Sequence, residues 1–430
     1  MTDGYVSDVA YPAFFYKEMQ PVWLATVAGL RGFSAPDPAA PFTLCEWGCG
    51  VGINLLVAAA CHPQAHFVGV DFNAEHLRIA RAAAQASGLA NVEFVDAEFA
   101  AFARDDRRQF DFITCHGVWS WIAAEHRAVL SDHAARSLKS GGLLYLHYMC
   151  HPGSTDLAPL QQLMKLCAGQ MAGSSAQKAG MGLKLAQRLV DGGAFADSPA
   201  MRRHLANMGT RDPADLAHEF LTDHWLPQHS VDVHRDMAAA GLALIGSADV
   251  FANLDVSLSI PGNLQDLVRQ TRIPALAETL KDIARNTHQR MDLFQKDPAS
   301  LDGNAFLARF GAISFEAMPG APLRGSVTFA TPIGPVTGPE ALFTPLLERL
   351  ATGPASGADL LQLPAFAGDA GGLLQALQLL MMQGLAHPSG PPCPGVQDRA
   401  RDLSRWFRGN GVALTVVDAC ATAIAGGGAG

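Results

Sequence analysis

The chain has 430 residues, of which 49% are hydrophobic and 17% charged, so it can bury a large core, and its length predicts two or three domains. A formal net charge of −9 argues against a general nucleic-acid binder, and the absence of any run of 18 uncharged apolar residues predicts no membrane span. The first residues lack the pattern of a secretory signal, and the eight cysteines are scattered without a C-x-x-C pair, so a cytoplasmic protein with reduced thiols is expected.

An aromatic segment opens the chain, with five aromatic residues among positions 5–16. One interpretation is an amphipathic helix that covers the edge of a sheet. The other is a lid over a bound ligand, in which tyrosines such as Tyr11 and Tyr16 present apolar rings with polar tips. Residues 34–41 are rich in proline and alanine and are interpreted as a linker.

A glycine-rich turn follows the short apolar strand 42–47 and leads into a helix from Ile53 to Cys61. Gly48 and Gly50 permit a tight turn and a close approach of the backbone to a ligand, and Gly52 lets the helix pack against the strand. The pattern is E-x-G-x-G-x-G, which differs from the G-x-G-x-x-G of dinucleotide-binding proteins. The carboxylate of Glu46 suits a ligand with an amine better than one with a pyrophosphate.

Acidic residues end the next two strands. Asp71 follows the strand 66–70 and stands 21 residues after Gly50, where an acid suits ribose hydroxyls. Asp71 could instead cap the following helix, although Asn73 could serve as the cap while Asp71 faces a ligand. Strand 92–95 ends in Asp96, and strands 110–115 and 142–148 complete an alternation of strands and helices typical of an open α/β sheet.

The remaining chain is divided by composition and apolar spacing. The helical segment 154–226 is interpreted as an insertion after strand five, and the predicted helix 231–240 and strand 241–247 complete the sheet. Residues 301–400 combine short strands and helices as in a winged helix, but their net charge of −3 favours protein contact over DNA binding. The predicted division is an N-terminal aromatic lid and linker at 1–41, an α/β core at 42–153, an insertion at 154–226, core completion at 227–260, a helical connector at 261–300, a winged-helix-like module at 301–400 and a tail at 401–430, disordered from Ala423.

Several motifs together resemble one family. They are the aromatic opening segment, Glu46-x-Gly48-x-Gly50, the run from His116 to Trp121, Tyr148-x-x-x-Pro152-Gly153 and the run from Ala217 to Leu221. In these motifs the chain resembles the bacterial, rickettsial-type protein-lysine methyltransferases that carry a methyltransferase regulatory domain. It departs from the family pattern at Met149 and Ser154, where an asparagine and an aromatic residue are usual. The resemblance implies a Rossmann-like class I methyltransferase fold with S-adenosylmethionine (AdoMet) as cofactor.

Candidate site residues follow from the strand ends and from this resemblance. The expected AdoMet-binding residues are Tyr11, Tyr16, Glu46, Gly48, Cys49, Gly50, Gly52, Asp71, Phe72, Asp96, Ala97, Glu98, His116 and Gly117. Trp119, Trp121 and Tyr148 are the expected walls of the acceptor site, although both tryptophans could equally be ordinary core. His116, Tyr148 and Trp119 are the catalytic candidates, with His116 or Tyr148 taking a proton from the acceptor or orienting it. No metal site is expected.

Three functions remain open at this point. The first is methyl transfer to the side-chain amine of lysine in a protein or peptide. The second is methylation of a small molecule or a peptide natural product. The third is a non-catalytic, AdoMet-binding regulatory protein, which the intact glycine turn and its two acids disfavour. His218 and Glu219 could be catalytic, but a helix that caps the site is the favoured interpretation.

Overall fold

A computed structural model describes residues 4–9, 11–391 and 393–426. Its centre is a seven-stranded sheet in the order β3-β2-β1-β4-β5-β7-β6. Strands β1 to β5 are parallel, and β7 runs antiparallel to both of its neighbours. The strands are β1 (Thr43–Trp47), β2 (His66–Asp71), β3 (Val92–Asp96), β4 (Phe110–Cys115), β5 (Leu138–Met149), β6 (Leu242–Ser247) and β7 (Gln289–Lys296).

Helices cover both faces of the sheet. The helices α1 (Pro21–Leu30), α2 (Ile53–Cys61) and α3 (Ala74–Ala86) pack on the first face. The helices α4 (Phe99–Asp105), α5 (Ala124–Ser137) and α10 (Ser230–Ala239) pack on the second. Successive side chains of β1 alternate between the two cores, with Leu44 in the first and Cys45 in the second, as expected for a strand buried on both sides.

The helical insertion that the sequence predicts is present between β5 and α10. It consists of α6 (Ala158–Gly169), α7 (Ser175–Asp191), α8 (Pro199–Met208) and α9 (Pro213–Phe220). These helices bury their own apolar cluster, which includes Leu160, Met164 and Phe220. Because the insertion leaves the sheet directly after β5, it lies at the carboxyl ends of the parallel strands, where open α/β sheets bind ligands.

The predicted helical connector 261–300 is wrong from residue 289 onwards, where a strand begins. Three helices, α11 (Val256–Ser259), α12 (Gln265–Gln270) and α13 (Pro274–Arg285), lead into β7, which is a central strand. Charged residues within β7 obscured its strand pattern, because the structure buries Arg290 and Asp292 as an ion pair. The sheet is therefore completed at Lys296 and not near residue 260.

The segment after β7 forms a smaller α+β unit on the first face. Strand β8 lies between β11 and β12, and β9 pairs with β10. The apolar core of this unit is continuous with that of the sheet, since Phe310 and Leu377 belong to the same cluster as Trp23. Its identification as winged-helix-like stays a prediction. The elements are α14 (Gly303–Ala312), β8 (Ser314–Ala317), β9 (Val327–Thr331), β10 (Gly334–Gly338), α15 (Glu340–Ala351), β11 (Ala355–Ser356), α16 (Gly357–Leu360), α17 (Ala370–Met382) and β12 (Ala386–Ser389).

The interpretation of residues 401–430 as a tail is contradicted up to residue 426. The structure has a helix α18 (Val396–Gly409) and a hairpin of β13 (Leu414–Val417) and β14 (Thr422–Ala425). Helix α18 packs on α2 and α3 through Leu403 and Phe407, which recur at helical spacing. The predicted disorder of Ala423 to Gly430 is thus wrong for residues 423–425, and residues 427–430 lie outside the described part. In the described ranges no helix is long and apolar enough to cross a membrane.

Candidate active site

A cavity of about 420 Å³ opens at the carboxyl ends of β1 to β4, and we call it the main cavity. A second cavity of about 160 Å³, the side chamber, shares five lining residues with it: Tyr5, Tyr11, His116, Gly117 and Trp121. Further residues of the main cavity include Gly48, Gly50, Asp71, Phe72, Asp96, Glu98 and Phe99. Further residues of the side chamber are Tyr16, His147, Arg211, Asp215, His218, Glu219 and Gln289.

The glycine turn shapes one wall of the main cavity. Gly50 has a φ of 52° and no atom lies within 4 Å of where a Cβ would be, so its backbone faces open space. Gly52 has a φ of 76°, but a Cβ there would lie 2.8 Å from the Phe94 ring. Gly52 does not line either cavity. Its role is the close packing of α2 against the sheet, and the expectation that it binds the cofactor is not supported by its position.

The carboxylate of Asp71 is fixed by two backbone donors. Gly50 N donates to Oδ2 and Asn73 N donates to Oδ1, each at 2.8 Å. The side chain of Asn73 caps α3 by accepting from the backbone of Glu75 and His76. Asp71 is therefore held towards the main cavity while Asn73 serves as the helix cap. Asp96 lies beside Asp71 on the neighbouring strand and lines the same cavity, whereas the adjacent Ala97 does not line it.

Glu46 is a buried carboxylate beneath the glycine turn. It is 5% exposed and borders a small pocket together with Cys49 and Gly50. Burial, and secondarily the charge of Asp71, raises the pKa of Glu46 well above its usual range. Among the described residues no side-chain hydrogen bond to this carboxylate is formed. A buried carboxylate in this state is costly unless a cation pairs with it, so the pocket fits a ligand with an ammonium group.

The N-terminal aromatic segment lies against both cavities. Tyr11 N donates to His76 Nε2 at 3.0 Å, and Tyr16 N donates to Asn54 Oδ1 at 2.9 Å. Burial raises the pKa of Tyr16 to about 12 and raises that of Tyr11 well above its usual value, so both phenols remain protonated. Among the described residues up to Tyr16 no helix forms, which leaves the lid as the interpretation that the geometry supports.

A stack of rings forms the floor between the cavities. Tyr16 stacks on His116 with ring centroids 3.7 Å apart, and His116 stacks on His147 at 4.0 Å. His116 Nδ1 and the Tyr145 hydroxyl are 2.7 Å apart, and Gly117 N donates to His147 Nδ1 at 3.2 Å. Burial lowers the pKa of His147 to about 4, and burial together with the neighbouring His147 lowers that of His116 well below its usual value. Both imidazoles are neutral at physiological pH.

The assignments of Tyr148 and Trp119 to the site are not supported. The side chains of β5 alternate, so Tyr145 and His147 lie on the first face, where His147 lines the side chamber, while Tyr148 points to the second face of the sheet. There the Tyr148 hydroxyl donates to Asp292 Oδ2 at 2.6 Å. Trp119 is 2% exposed within the second core. Trp121 does line both cavities, and its Nε1 donates to the backbone oxygen of Glu219 at 3.0 Å.

A charged cluster from α9 and the loop before it forms the roof of the side chamber. Arg211 Nε lies 2.7 Å from Asp215 Oδ2, and its Nη2 contacts the Glu219 carboxylate. Burial raises the pKa of Glu219, although the attraction of Arg211 opposes this. Two carboxylates face one guanidinium, so the cluster carries one negative charge when all three groups are ionised.

Sequence reasoning missed His147, Arg211, Asp215 and Gln289. A strict alternation along β5 would have paired His147 with Tyr145 on one face. For Arg211 and Asp215 the signal was their position just before the run from Ala217 to Leu221. Gln289 could not be placed while β7 was taken for part of a helical connector. In the described ranges no group of three or more His, Cys, Asp or Glu side chains could hold a metal ion.

Comparisons with known proteins locate two families along the chain. Residues 44–142 match the model of a methyltransferase domain, and residues 212–296 match that of a predicted methyltransferase regulatory domain. An uncharacterised protein of Synechocystis sp. is 29% identical over 90% of this chain and 77% of its own length. An uncharacterised protein of Rickettsia prowazekii is 34% identical over 36% of this chain and 28% of its own length. Trans-aconitate 2-methyltransferase of Azoarcus sp. is 33% identical over 30% of this chain and 46% of its own length.

A solved structure shares the overall fold. PKMT2 of Rickettsia typhi, in complex with AdoHcy, superimposes with a TM-score of 0.68 over 88% of this chain and 77% of that chain, at 18% identity. This likeness shows the Rossmann-like fold of a class I methyltransferase. The two family matches place a methyltransferase domain, whose cofactor is AdoMet, at residues 44–142 and a predicted methyltransferase regulatory domain at residues 212–296.

Proposed function

We propose that this AdoMet-dependent methyltransferase transfers the methyl group to the side-chain amine of a lysine in a protein or peptide. The observation that carries the proposal is the charge of the side chamber, where Asp215 and Glu219 face a single Arg211. A lysine enters as a cation, and a chamber with one excess carboxylate attracts it. The same charge opposes an acceptor that carries carboxylates or phosphates.

The main cavity and the small pocket beside it would supply the groups that AdoMet requires. The Glu46 carboxylate would pair with the amino group of its methionine part, and the Gly48–Gly50 backbone would lie along that part. Asp71 would accept hydrogen bonds from the ribose hydroxyls, and Asp96 from the adenine amine. When bound, AdoMet supplies an electrophilic methyl group on a sulfonium sulfur.

The chain's own residues then provide position, desolvation and a suitable charge. Tyr11 and Trp121 border both cavities, Tyr16 borders the side chamber, and together these rings exclude water from the junction between the cavities. The neutral imidazoles of His116 and His147 place no positive charge beside a sulfonium or an ammonium. The aromatic part of the wall also disfavours the cation of a buried lysine and so lowers the pKa of its amine from about 10.4 in water, whereas the carboxylates of the chamber oppose this shift.

The chamber's charge bears on the alternative acceptors. Trans-aconitate, named for one relative, is a carboxylate compound, and the excess negative charge beside Glu219 disfavours it here. A cationic small molecule or peptide natural product would suit the same chamber. The geometry around Glu46 and Asp71 favours catalysis over a purely regulatory role, because it combines a place for the cofactor with a connected chamber for an acceptor.

The proposal can be tested with AdoMet labelled in its methyl group. The enzyme is incubated with a cell lysate, and the label is followed on a protein gel and in the small-molecule fraction. Lysine-containing peptides and matched peptides with arginine at each lysine serve as defined acceptors. Label in protein and in the lysine peptides alone supports the proposal. Label confined to small molecules, or equal label in both peptide sets, contradicts it.

A further inference from the structure

The acceptor lysine must lose a proton before its nitrogen can attack, and most groups in the side chamber are poor proton acceptors. Tyr5, Tyr11 and Tyr16 would have to be ionised first, and burial raises the pKa of all three phenols. His116 and His147 would become adjacent buried cations on protonation, and their lowered pKa values reflect this cost. Arg211 is a cation already. The carboxylates Asp215 and Glu219 remain, together with His218.

Glu219 has the geometry of a proton acceptor. Its side chain is 17% exposed, so it is largely withdrawn from bulk water yet borders the chamber. Its backbone is anchored by Trp121, which lies at the junction with the main cavity. The contact with Arg211 favours the ionised carboxylate before transfer. When Glu219 takes up a proton, Asp215 still neutralises Arg211, so the cluster passes from one net negative charge to zero and no buried charge is left alone.

A separate feature indicates that a polar ligand enters the same chamber. His147 is 3% exposed and the Gln289 side chain lies beside its ring, but the His147 Nε2 has no hydrogen-bond partner of normal geometry. Because Nδ1 accepts from Gly117 N, the proton of the neutral ring is on Nε2. Buried donors without a partner are rare and usually mark a place that a ligand or water completes. The unused donor is in the wall of the chamber that also contains Glu219.

From these contacts we infer that Glu219 is the catalytic residue that accepts the proton of the acceptor ammonium. The inference rests on the proposed function. One N–H bond of the ammonium breaks, its electron pair stays on nitrogen, and the proton binds a Glu219 carboxylate oxygen. The nitrogen lone pair then forms the bond to the methyl carbon as the bond from that carbon to sulfur breaks. The methylated amine leaves as a cation, and Glu219 returns its proton to solvent, so one proton is released per turnover.

The test is the pH dependence of kcat in E219Q, measured on a lysine peptide between pH 6 and 10. We expect kcat to fall by about 100-fold or more at pH 7, the usual size of a general-base contribution. The remaining rate should rise about tenfold per pH unit, because only the free amine can react. A peptide in which lysine is replaced by S-aminoethylcysteine, an analogue with a more acidic ammonium, should restore part of the loss. AdoMet affinity by calorimetry should stay within about twofold of wild type.

Four further variants act as comparisons. E219D retains a carboxylate and should show the wild-type pH profile at a lower rate. If E219Q does not fold, the pH profile of E219D still tests the role of the carboxylate. D215N removes the other partner of Arg211 and should not give the tenfold slope. E340Q changes an exposed carboxylate at the start of α15 and should match wild type. H218Q examines the remaining titratable neighbour and should not acquire the slope either.

The outcomes separate this inference from the proposed function. If the wild-type enzyme methylates no lysine peptide, the proposed function fails. If it does, the inference is overturned by E219Q activity within about threefold of wild type, or by a loss that is equal at every pH and is not reduced by the S-aminoethylcysteine peptide. If kcat of D215N or H218Q, rather than that of E219Q, rises tenfold per pH unit, the replaced residue is the proton acceptor and the inference for Glu219 is overturned.

Discussion

Replacing Tyr148 by phenylalanine should weaken folding without impairing chemistry, although the sequence suggested a catalytic tyrosine. Its hydroxyl and the Asp292 carboxylate are fully buried on the second face of the sheet, 2.6 Å apart. Asp292 also accepts from His234 Nε2 at 2.8 Å and from Arg290 Nε at 3.0 Å. The hydroxyl is therefore one of three donors to a buried charge, and it contacts neither cavity.

The magnitude follows from this arrangement. A hydrogen bond to a charged group contributes about 1.5–3 kcal/mol. In Tyr148→Phe, two donors to Asp292 remain and little side-chain volume is lost. We therefore expect the free energy of unfolding to fall by about 1.5–2 kcal/mol, the lower part of the range for such a hydrogen bond. Asp292→Asn should cost more, about 3 kcal/mol or above, because it removes the charge that pairs with buried Arg290. Asp282 and Glu278 continue to pair with Arg290 and limit that loss.

The assay is urea denaturation of both variants, with AdoMet affinity and kcat measured on the same preparations. Tyr145→Phe is the matched control, three residues away on the same strand, because its hydroxyl contacts His116 in the site. This control should lower kcat more than it lowers stability. The reasoning is refuted if Tyr148→Phe has the same free energy of unfolding as wild type. It is also refuted if the folded variant binds AdoMet like wild type but its kcat falls by more than about tenfold.

Three other predictions follow from the fold. Asp71→Ala should weaken AdoMet binding by about 1.5–3 kcal/mol, or roughly 10- to 150-fold, and unchanged affinity by calorimetry with an intact fold would refute its role. Removing residues 301–430 should expose the apolar faces of α1 and α2, so thermal stability and AdoMet affinity should fall together. A soluble truncated protein with wild-type AdoMet affinity would contradict the conclusion that the two units share one core. The free energy of unfolding, measured by urea titration, should fall as the pH drops from about 6.5 to about 4. In this pH range the histidines of the unfolded chain bind protons, whereas the buried histidines of the folded chain do not. A free energy of unfolding that does not change with pH would refute this prediction. The histidines responsible are those whose pKa burial lowers to about 4, namely His62, His133, His147 and His387.

Local features of the sequence were sufficient to predict that the proposed cofactor-binding residues lie at one edge of the sheet. The glycine turn, Glu46 and the acids Asp71 and Asp96 all stand at strand ends, and parallel strands bring their carboxyl ends to one edge of the sheet. Their spacing along the chain therefore carries their spatial arrangement. The helical insertion was also predictable, because its apolar residues recur at helical spacing from Leu160 onwards.

The acceptor half was decided by tertiary structure. Strand β5 is buried on both faces, so its sequence does not alternate between polar and apolar residues in a way that shows which side chains point to the site. Only the packing of the sheet showed that His147 lines the side chamber and that Tyr148 lies in the second core. Arg211, Asp215 and Glu219 reach that chamber because the insertion folds back over β5 before the chain rejoins the sheet. Charged residues hid β7 because an isolated strand gives no sign that Arg290 and Asp292 will be paired inside the fold. Periodicity reports the local environment of a segment, whereas the partner of a charge depends on which distant segment folds against it.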